Sequence, residues 1–356
     1  MVPLRVVNEK NMIFRQMFDD VSSTYTYLLA SRRGGEALII DPVLGRVDHY
    51  VKLLGELNLK LVKAVDTHVH ADHITGLGAL RDRTRCITVM GENSGVDVVS
   101  MRVTDGDHIN IEGIALEAIY TPGHTDDSYC FHTVDRVFTG DTLLIRGTGR
   151  TDFQNGDPHA QYNSLFNKLL KLPEETLVYP AHDYKGDTVS TIGEEVIHNP
   201  RLQVSSADEY AEIMNNLNLP NPKMMNIAVP ANLRIGLLQD DLDKRGCSLT
   251  CEEAQEFLRS DYVTLVDIRE QTERDRHGVI PGAIHAPYGA LDEYVKPGGI
   301  LNELMKLTGK WPVFYCAYGE RSAMAVEAAL GAGFSDARHI RGGIDCWKKE
   351  NGPITM

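Results

Sequence analysis

The first half of the chain alternates short apolar runs with amphipathic stretches. The β-branched and aromatic runs 25–30 and 37–40 have the length and composition of strands, whereas residues 47–57 repeat apolar positions at helical spacing. Glycine, proline or aspartate closes each run, as is usual where strands and helices end. This pattern predicts a layered α/β domain.

The alternation fades after residue 199. The stretch 199–236 is typical of short helices followed by loops, and three prolines are expected to break any long helix there: Pro220, Pro222 and Pro230. A charged segment with a glycine near its end, 237–248, follows. We predict that the first domain spans residues 1–238 and that residues 239–247 form a linker.

A second α/β domain is predicted over residues 248–356. Thr250 followed by Glu253 matches a capping box, which marks the start of an amphipathic helix. Strands are predicted at 262–268, at 313–315 and near His339, with a helix over 321–332. Strands that alternate with helices favour a small domain with a parallel sheet.

Composition and charge narrow the function classes. A length of 356 residues favours two domains, and a formal charge of −14 without any basic stripe argues against nucleic acid as a partner. No apolar run reaches the length of a membrane span, and the first residues lack the apolar centre of a secretory signal. We therefore expect a cytoplasmic protein with no membrane partner, whose six scattered cysteines are reduced.

The densest chemical signal is the segment Thr67–His73, which follows the apolar strand 61–65. It contains His68, His70, Asp72 and His73. Because side chains two apart on an extended segment point the same way, His68 and His70 share a face. Imidazoles and a carboxylate in one short loop are typical of a metal site.

Three later segments repeat the same arrangement of an apolar strand followed by a metal-capable residue. They end in His124, Asp141 and His182. In layered α/β proteins, catalytic groups gather on loops at strand ends, so we expect these side chains to meet those of the first loop. A single isolated histidine is by default structural, but the full set predicts a metal centre.

These residues resemble, in identity and order, the H-x-H-x-D-H motif and the later His, Asp and His of the metallo-β-lactamase superfamily. The resemblance implies an αββα sandwich. Two branches are open: thioester hydrolases similar to glyoxalase II, with two metals, and persulfide dioxygenases, with one iron. The ligand set alone does not separate them.

Two further segments resemble those of the persulfide dioxygenase branch, namely 141–153 after the ligand aspartate and the tail 212–232. The resemblance implies that one Fe(II) per chain is held by His68, His124 and Asp141. It assigns the remaining motif residues to outer positions that orient ligands: His70, Asp72, His73 and His182. Arg150 and Tyr184 match positions near the substrate, although ordinary surface salt-bridge contacts are the plain alternative for both.

One departure from the family concerns Thr148, which stands where some members have a cysteine. A cysteine-assisted step near the metal is therefore not expected.

A candidate nucleophile lies in the second domain. Cys316 ends an apolar strand and precedes a short turn and a helix. Backbone N–H groups and the positive end of a helix favour a thiolate in such a loop, although a buried structural cysteine is the common alternative. Cys247 and Cys251 lie four residues apart without a second pair, so we expect a plain helix start there rather than a zinc site and assign them no function.

Two segments near Cys316 resemble the signature segments of the rhodanese family, 266–270 and 278–285. The resemblance implies that Cys316 carries sulfane sulfur and that Arg321 shapes the loop and holds an anion. It gives Asp267 and Arg269 supporting roles. Glu320 departs from the basic loops typical of rhodaneses that use thiosulfate, yet thiosulfate remains the favoured donor.

The two resemblances together predict a fusion that oxidises glutathione persulfide with O2 to sulfite and glutathione, and that exchanges sulfur between thiosulfate and glutathione. Tethering raises the local concentration of the shared persulfide. Two alternatives stay open, a two-metal thioester hydrolase with an accessory rhodanese and a non-catalytic sulfur relay. The sequence also leaves open whether the chain forms a homo-oligomer.

Overall fold

The computed structural model describes residues 12–236, 240–259 and 262–356. These residues form two compact units. The first comprises the residues up to Asp97 and Met101–Ile235, and the second comprises Gly236–Met356 together with Val98–Ser100.

The first unit contains two mixed sheets of six strands within its described residues. The first sheet runs in the order β1-β2-β3-β4-β5-β6, with bounds Ile13–Asp19, Thr24–Ala30, Glu36–Ile40, Lys60–Val65, Ile87–Gly91 and Met101–Val103. The second runs in the order β12-β11-β10-β9-β8-β7, in which β7 to β12 are His108–Ile111, Ile114–Tyr120, Tyr129–Thr133, Arg136–Gly140, Leu177–Pro180 and Ser190–Thr191.

Helices cover the outer faces of both sheets. They are α1 Val47–Glu56, α2 Leu77–Thr84, α3 Pro158–Asn167, α4 Ile192–His198, α5 Ala207–Asn215 and α6 Met225–Asn232. Because successive side chains of a strand point to opposite faces of the sheet, each strand contacts two different layers. Tyr27 of β2 packs on Phe138 of β10 with ring centroids 5.0 Å apart, whereas its neighbour Thr26 meets Tyr50 of α1.

The second sheet alternates in the same way. Phe138 and Tyr179 face the first sheet, while Val137 and Val178 join the outer core with Leu165 of α3. The first unit is therefore an αββα sandwich, as the resemblance to the metallo-β-lactamase superfamily implies.

The second unit is a small α/β domain around one parallel sheet. The strand order is β13-β17-β16-β14-β15, with β13 to β17 at Ser248–Leu249, Val263–Asp267, Ile284–His285, Trp311–Tyr315 and Arg338–Ile340. Its helices are α7 Asp240–Lys244, α8 Cys251–Arg259, α9 Gln271–His277, α10 Leu291–Val295, α11 Ile300–Thr308, α12 Glu320–Gly331 and α13 Gly343–Lys349. The predicted parallel sheet is thus confirmed.

Two local predictions can be compared directly. The capping box is present, because Thr250 N–H donates to Glu253 Oε2 over 2.8 Å and Glu253 N–H donates to Thr250 Oγ1 over 3.2 Å. Pro230, expected to break any long helix, lies inside the short helix α6, which ends two residues later at Asn232. A proline removes only one hydrogen bond, and near the end of a short helix that loss is tolerated.

The predicted boundary at residue 238 lies outside the described residues. The predicted linker contains helix α7, and its Leu242 and Cys247 are buried in the core of the second unit. In the described part of the chain, no helix is long and apolar enough to span a membrane.

Candidate metal centre and candidate thiol site

Four loops at strand ends bring the predicted metal-capable side chains together. The loop after β4 carries His68, His70, Asp72 and His73, while the loops after β8, β10 and β11 carry His124, Asp141 and His182. The central strands β3, β4 and β5 are parallel, as are β10 and β11, so their carboxyl ends share edges.

His68, His124 and Asp141 form the innermost cluster. One donor atom of each lies within 4.8 Å of the others, and His124 Nε2 lies 3.5 Å from Asp141 Oδ2. Both histidines are buried, and Asp141 is half-buried. Two imidazoles and one carboxylate on one face fit a divalent metal whose other coordination positions stay open.

Hydrogen bonds fix which nitrogen of each histidine faces the cluster. His124 Nδ1 lies 2.7 Å from the carbonyl oxygen of Arg150. A carbonyl only accepts, so Nδ1 carries the proton and Nε2 keeps its lone pair.

A longer chain of hydrogen bonds does the same for His68. The Thr67 hydroxyl donates to Asp41 Oδ2 over 3.0 Å and therefore accepts from His68 Nδ1 over 3.0 Å. His68 Nε2 is thus the nitrogen left to bind a metal.

The remaining motif residues pair with carboxylates. His70 Nε2 lies 3.1 Å from Asp41 Oδ1, and His73 Nδ1 lies 2.9 Å from Asp72 Oδ2. His182 lies between two carboxylates, with Nδ1 2.6 Å from Asp141 Oδ1 and Nε2 2.8 Å from Asp72 Oδ2. His70, Asp72 and His73 also form a second group of donors within 4.8 Å of one another.

The charges of this region follow from burial and pairing. Burial, with the neighbouring His70 and His124, holds the pKa of His68 well below its usual value, so its imidazole is neutral. Burial opposes protonation of His70 as well, but Asp41 outweighs it and raises the pKa of His70 to about 9. Burial likewise opposes protonation of His182, yet Asp141 and Asp72 raise its pKa.

Two glycines allow the loops to approach this closely. Gly140 has a φ of +50°, and a Cβ there would lie 2.8 Å from Thr67 Oγ1. A Cβ on Gly149 would lie 2.1 Å from the Asp141 carbonyl oxygen and 2.8 Å from His124 Nδ1. Any side chain at these positions would push the ligand loops apart.

Asn232, the last residue of α6, holds the first loop in place. Its Nδ2 donates to the carbonyl oxygens of His70 and His73, each over 2.9 Å, and its Oδ1 accepts from Thr75 N–H over 2.9 Å. The side chain is buried. The tail 212–232 therefore contributes a support to the motif loop.

The two predicted substrate-contacting residues differ in surroundings. Arg150 forms a two-pronged pair with Asp152 over 2.5 and 2.6 Å, donates to the Pro220 carbonyl oxygen and lies over the Phe153 ring. Tyr184 is 71% exposed, and its ring stacks parallel to that of His182 at 6.0 Å. Tyr184 is therefore available to a bound molecule, whereas Arg150 is engaged in protein contacts.

Thr148 is buried and its hydroxyl accepts from Tyr210 of α5 over 3.0 Å. Its hydroxyl is thus engaged with helix α5.

The thiol site lies where β16 meets α12. Cys316 is buried, and the backbone N–H of Gly319 donates to its Sγ over 3.1 Å. Gly319 has a φ of +93°, and a Cβ there would lie 2.7 Å from the backbone nitrogen of Gly342. The loop therefore folds tightly around the sulfur.

A buried chain of polar groups leads away from the thiol. Cys316 Sγ lies 3.7 Å from Ser322 Oγ, which lies 3.3 Å from His339 Nδ1. His339 Nε2 in turn lies 3.0 Å from Ser248 Oγ. Burial lowers the pKa of His339 to about 4, so its ring is neutral.

Arg321 pairs with Glu273 through both terminal nitrogens, over 2.7 and 2.6 Å, and is wholly buried. Only its Nε has no hydrogen-bond partner in the described residues. The geometry therefore favours loop shaping over anion holding for Arg321.

Asp267 and Arg269 form the second buried pair of this region. Asp267 accepts from Arg269 Nε over 2.9 Å and from the Tyr315 hydroxyl over 2.9 Å. Arg269 also donates to the Gly278 carbonyl oxygen over 2.8 Å. The pair links the ends of β14 and β16 to the segment that begins at Gly278.

Sequence reasoning missed several supporting residues: Asp41, Thr67, Asn232, Ser322 and His339. Asp41 carried a usable signal, since it follows the buried strand β3 just as the assigned donors follow theirs. The others carried none, because their partners depend on the folded arrangement.

Comparisons with known proteins agree with this architecture. The sequence matches the metallo-beta-lactamase superfamily over residues 19–97 and 93–182 and the rhodanese-like domain over residues 250–350. It is 48% identical over 229 residues to the mitochondrial persulfide dioxygenase ETHE1 of Homo sapiens, covering 64% of this chain and 89% of that protein.

Two further relatives separate the branches. The crystal structure of ETHE1 from Myxococcus xanthus is 52% identical, with a TM-score of 0.61 over 62% of this chain and 98% of the other. A hydroxyacylglutathione hydrolase from Pseudoalteromonas translucida is 31% identical over 234 residues, covering 64% of this chain and 89% of that protein. The identity is thus higher to the human persulfide dioxygenase and to this ETHE1 structure than to this hydrolase.

Proposed function

Because the chain belongs to the metallo-β-lactamase superfamily, with persulfide dioxygenases among its relatives, and carries a rhodanese-like domain, we propose that it oxidises glutathione persulfide and transfers sulfane sulfur. The first reaction combines glutathione persulfide, O2 and water to give glutathione and sulfite. The second uses thiosulfate as donor and glutathione as acceptor.

The observation that carries the first activity is the cluster of His68, His124 and Asp141. Two Nε2 lone pairs and one carboxylate oxygen make the two-histidine, one-carboxylate face of non-haem Fe(II) oxygenases. One ferrous ion per chain is proposed there. A ferrous ion would supply the redox chemistry through which dioxygen reacts with a sulfane sulfur.

The remaining motif residues are held by carboxylates in the proposed single-metal centre. His70 Nε2 is engaged by Asp41, and His182 lies between Asp141 and Asp72. We propose outer positions for His70, Asp72, His73 and His182, in which they orient ligands and hold water.

Residues around the centre bind and orient the substrate in this proposal. The exposed Tyr184 ring offers a surface and a phenol to the glutathionyl part of the persulfide. Arg150, whose carbonyl oxygen fixes His124, keeps that loop in place because its guanidinium pairs with Asp152.

For the second activity, the Cys316 thiolate attacks the outer sulfur of thiosulfate. The sulfur–sulfur bond of thiosulfate breaks, sulfite leaves and Cys316 becomes a persulfide anion. Glutathione then takes the terminal sulfur, leaving glutathione persulfide and the Cys316 thiolate. The Gly319 N–H and the Ser322 hydroxyl are placed to stabilise the anionic sulfur. Asp267, Arg269 and Arg321 are proposed to support the loop.

A two-metal thioester hydrolase is the second candidate. It is favoured by the second donor group of His70, Asp72 and His73 and by the similarity to a hydroxyacylglutathione hydrolase. It requires two metals per chain and no oxygen.

The test is oxygen consumption by anaerobically prepared, iron-loaded protein after addition of glutathione persulfide, with sulfite assayed and metal counted per chain. We expect one O2 and one sulfite per persulfide with one iron bound. No oxygen uptake together with two bound metals and thioester hydrolysis would replace the proposal with the hydrolase. If neither oxygen uptake nor thioester hydrolysis is detected, the proposal would be replaced by a non-catalytic sulfur relay.

A further inference from the structure

Three side chains that the proposed function does not use converge between α8 and α13 of the second unit. Cys251 is the first residue of α8, Cys346 lies in α13, and Glu350 directly follows α13. One donor atom of each lies within 4.8 Å of the others. Cys346 and Glu350 are one helical turn apart, and Cys346 Sγ lies 3.6 Å from Glu350 Oε1.

The three donors differ in exposure in a way that leaves one side open. Cys251 is wholly buried in a core that includes Leu249 and Trp347. Cys346 is half-buried against this core, and Glu350 is exposed. An ion can therefore reach the two sulfurs from solvent and keep a water molecule on its outer side.

We propose that Cys251, Cys346 and Glu350 form a binding site for a thiophilic divalent cation, Zn²⁺, with water as its fourth ligand. Thiolates with one carboxylate in a tetrahedral arrangement suit zinc. On binding, both thiols release their protons to solvent. Two thiolates, one carboxylate and the cation then give the site a net charge of −1.

The charges around the sulfurs favour a cation over a disulfide. Burial raises the pKa of the Cys251 thiol, and Cys346, Glu350 and Asp345 raise it further. A thiol held protonated by negative neighbours exchanges slowly with disulfides, because the thiolate is the attacking species. The same negative neighbours attract a cation, which would displace the protons.

The position of Cys346 links this site to the thiol loop. In the first turn of α13, Ile344 N–H donates to the Cys316 carbonyl oxygen over 2.9 Å and Asp345 N–H donates to the Ala317 carbonyl oxygen over 3.1 Å. A metal that joins α8 to α13 would therefore brace the helix that holds the Cys316 loop. The site itself does not depend on the reaction assigned to Cys316.

Cobalt tests the proposal in the full chain, because thiolate ligation gives Co²⁺ a sulfur-to-metal charge-transfer absorption. The candidate donors of the first unit's metal centre are nitrogen and oxygen atoms, so cobalt there gives no such band. We expect anaerobic Co²⁺ titration of reduced protein to produce the band, with saturation at one thiolate-bound cobalt per chain. Zn²⁺ should then abolish the band by displacement.

Substitutions assign the band to these residues. Cys346→Ser and Cys251→Ser should each remove it, whereas Glu350→Gln should keep it and weaken cobalt affinity by about tenfold or more. Cys247→Ser, four residues before Cys251, is the matched control and should leave both band and affinity unchanged. Cys316→Ser should also retain them.

Cys346 and Glu350 reach the surface, so their variants are expected to fold, and fluorescence of Trp311 and Trp347 checks this. Absence of the band in the reduced wild-type protein would overturn the proposal. So would a band that survives Cys346→Ser and Cys251→Ser, or one that only Cys316→Ser removes. A Cys251–Cys346 disulfide in non-reduced protein, without cobalt binding after reduction, would assign the pair to redox chemistry instead.

Discussion

His70 Nε2 lies 3.1 Å from Asp41 Oδ1, and both side chains are buried. Asp41 also accepts from the Thr67 backbone N–H over 2.7 Å and from the Thr67 hydroxyl over 3.0 Å. The Asp41 carboxylate thus accepts a hydrogen bond from His70, the second histidine of the motif. Through Thr67 it also determines the tautomer of His68, the first histidine. In the proposed function, His70 therefore supports the centre and His68 binds the metal.

Replacement of Asp41 by asparagine tests this role. The amide offers fewer acceptors to the three donors, so we expect metal affinity to fall about 10- to 100-fold and the free energy of unfolding to fall by about 1–3 kcal/mol. Competition with a chelator measures the affinity. The matched control is Asp48→Asn, at an exposed carboxylate of α1. Equal affinities in the two variants would contradict the role given to Asp41.

Asn232→Ala should destabilise the loop that carries the motif histidines. The change leaves the carbonyl oxygens of His70 and His73 and the N–H of Thr75 without this partner, which costs about 1–3 kcal/mol for each buried group left unsatisfied. We expect both stability and metal retention on dialysis to decrease. Asn216→Ala, at an exposed asparagine after α5, should change neither. Full metal retention by Asn232→Ala would show that the loop holds its shape without this support.

These supports show where sequence reasoning succeeds and where it stops. The donors at strand ends could be predicted because a buried strand followed by histidine or aspartate is a local pattern. Asp41 has that pattern too, but no other metal-capable residue lies next to it in the sequence, so the sequence around Asp41 does not indicate a metal site. Asn232 is 162 residues from His70 along the chain, and nothing in the sequence near either residue encodes their hydrogen bond.

The second unit gives the same lesson with cysteines. Cys251 was compared with Cys247 because the two are close in sequence, yet its neighbour in the fold is Cys346. The sequence predicts that Arg321 shapes the loop and holds an anion, but Glu273 of α9 engages both of its terminal nitrogens. In each case the partner is supplied by another helix, whose position depends on packing rather than on local pattern.

Ser322→Ala should weaken stabilisation of the Cys316 thiolate. The Ser322 hydroxyl donates to the Gly319 carbonyl oxygen over 3.0 Å but can rotate toward a thiolate 3.7 Å away. A hydrogen bond to a charged group contributes about 1.5–3 kcal/mol, so its loss should slow sulfur transfer from thiosulfate by about ten- to a hundredfold. The sulfurtransferase rate of the variant measures this effect. Ser335→Ala, at an exposed serine, is the control, and an unchanged rate in Ser322→Ala would remove the serine from thiolate stabilisation.

The second unit should lose stability in mild acid because of His339. Burial lowers the pKa of this histidine to about 4 in the folded protein, against 6.5 when it is exposed. Between these values the unfolded chain binds the additional proton, so the free energy of unfolding decreases as the pH falls from 6.5 to 4, by up to about 3 kcal/mol.

The chain's two tryptophans, Trp311 and Trp347, both lie in the second unit, so their fluorescence reports its urea midpoint. His339→Gln cannot take up the proton and should show a smaller decrease in midpoint between pH 7 and pH 5 than the wild-type protein. His49→Gln, in the first unit, serves as control. Equal decreases in wild type and His339→Gln would mean that another group controls the acid response.

The two proposed reactions should be separable by single substitutions, because each relies on its own donors. His124→Ala removes a nitrogen of the inner cluster and should abolish metal retention and oxygen uptake while the sulfurtransferase rate is unchanged. Cys316→Ser removes the sulfur carrier and should abolish transfer from thiosulfate, while oxygen uptake with added glutathione persulfide continues.

With thiosulfate and glutathione as the only sulfur sources, both variants should fail to consume oxygen. An equal mixture of the two variants should regain oxygen uptake if the persulfide is released between the sites. Loss of both activities in either folded variant would contradict independent sites, and a mixture that stays inactive would indicate direct transfer within one chain.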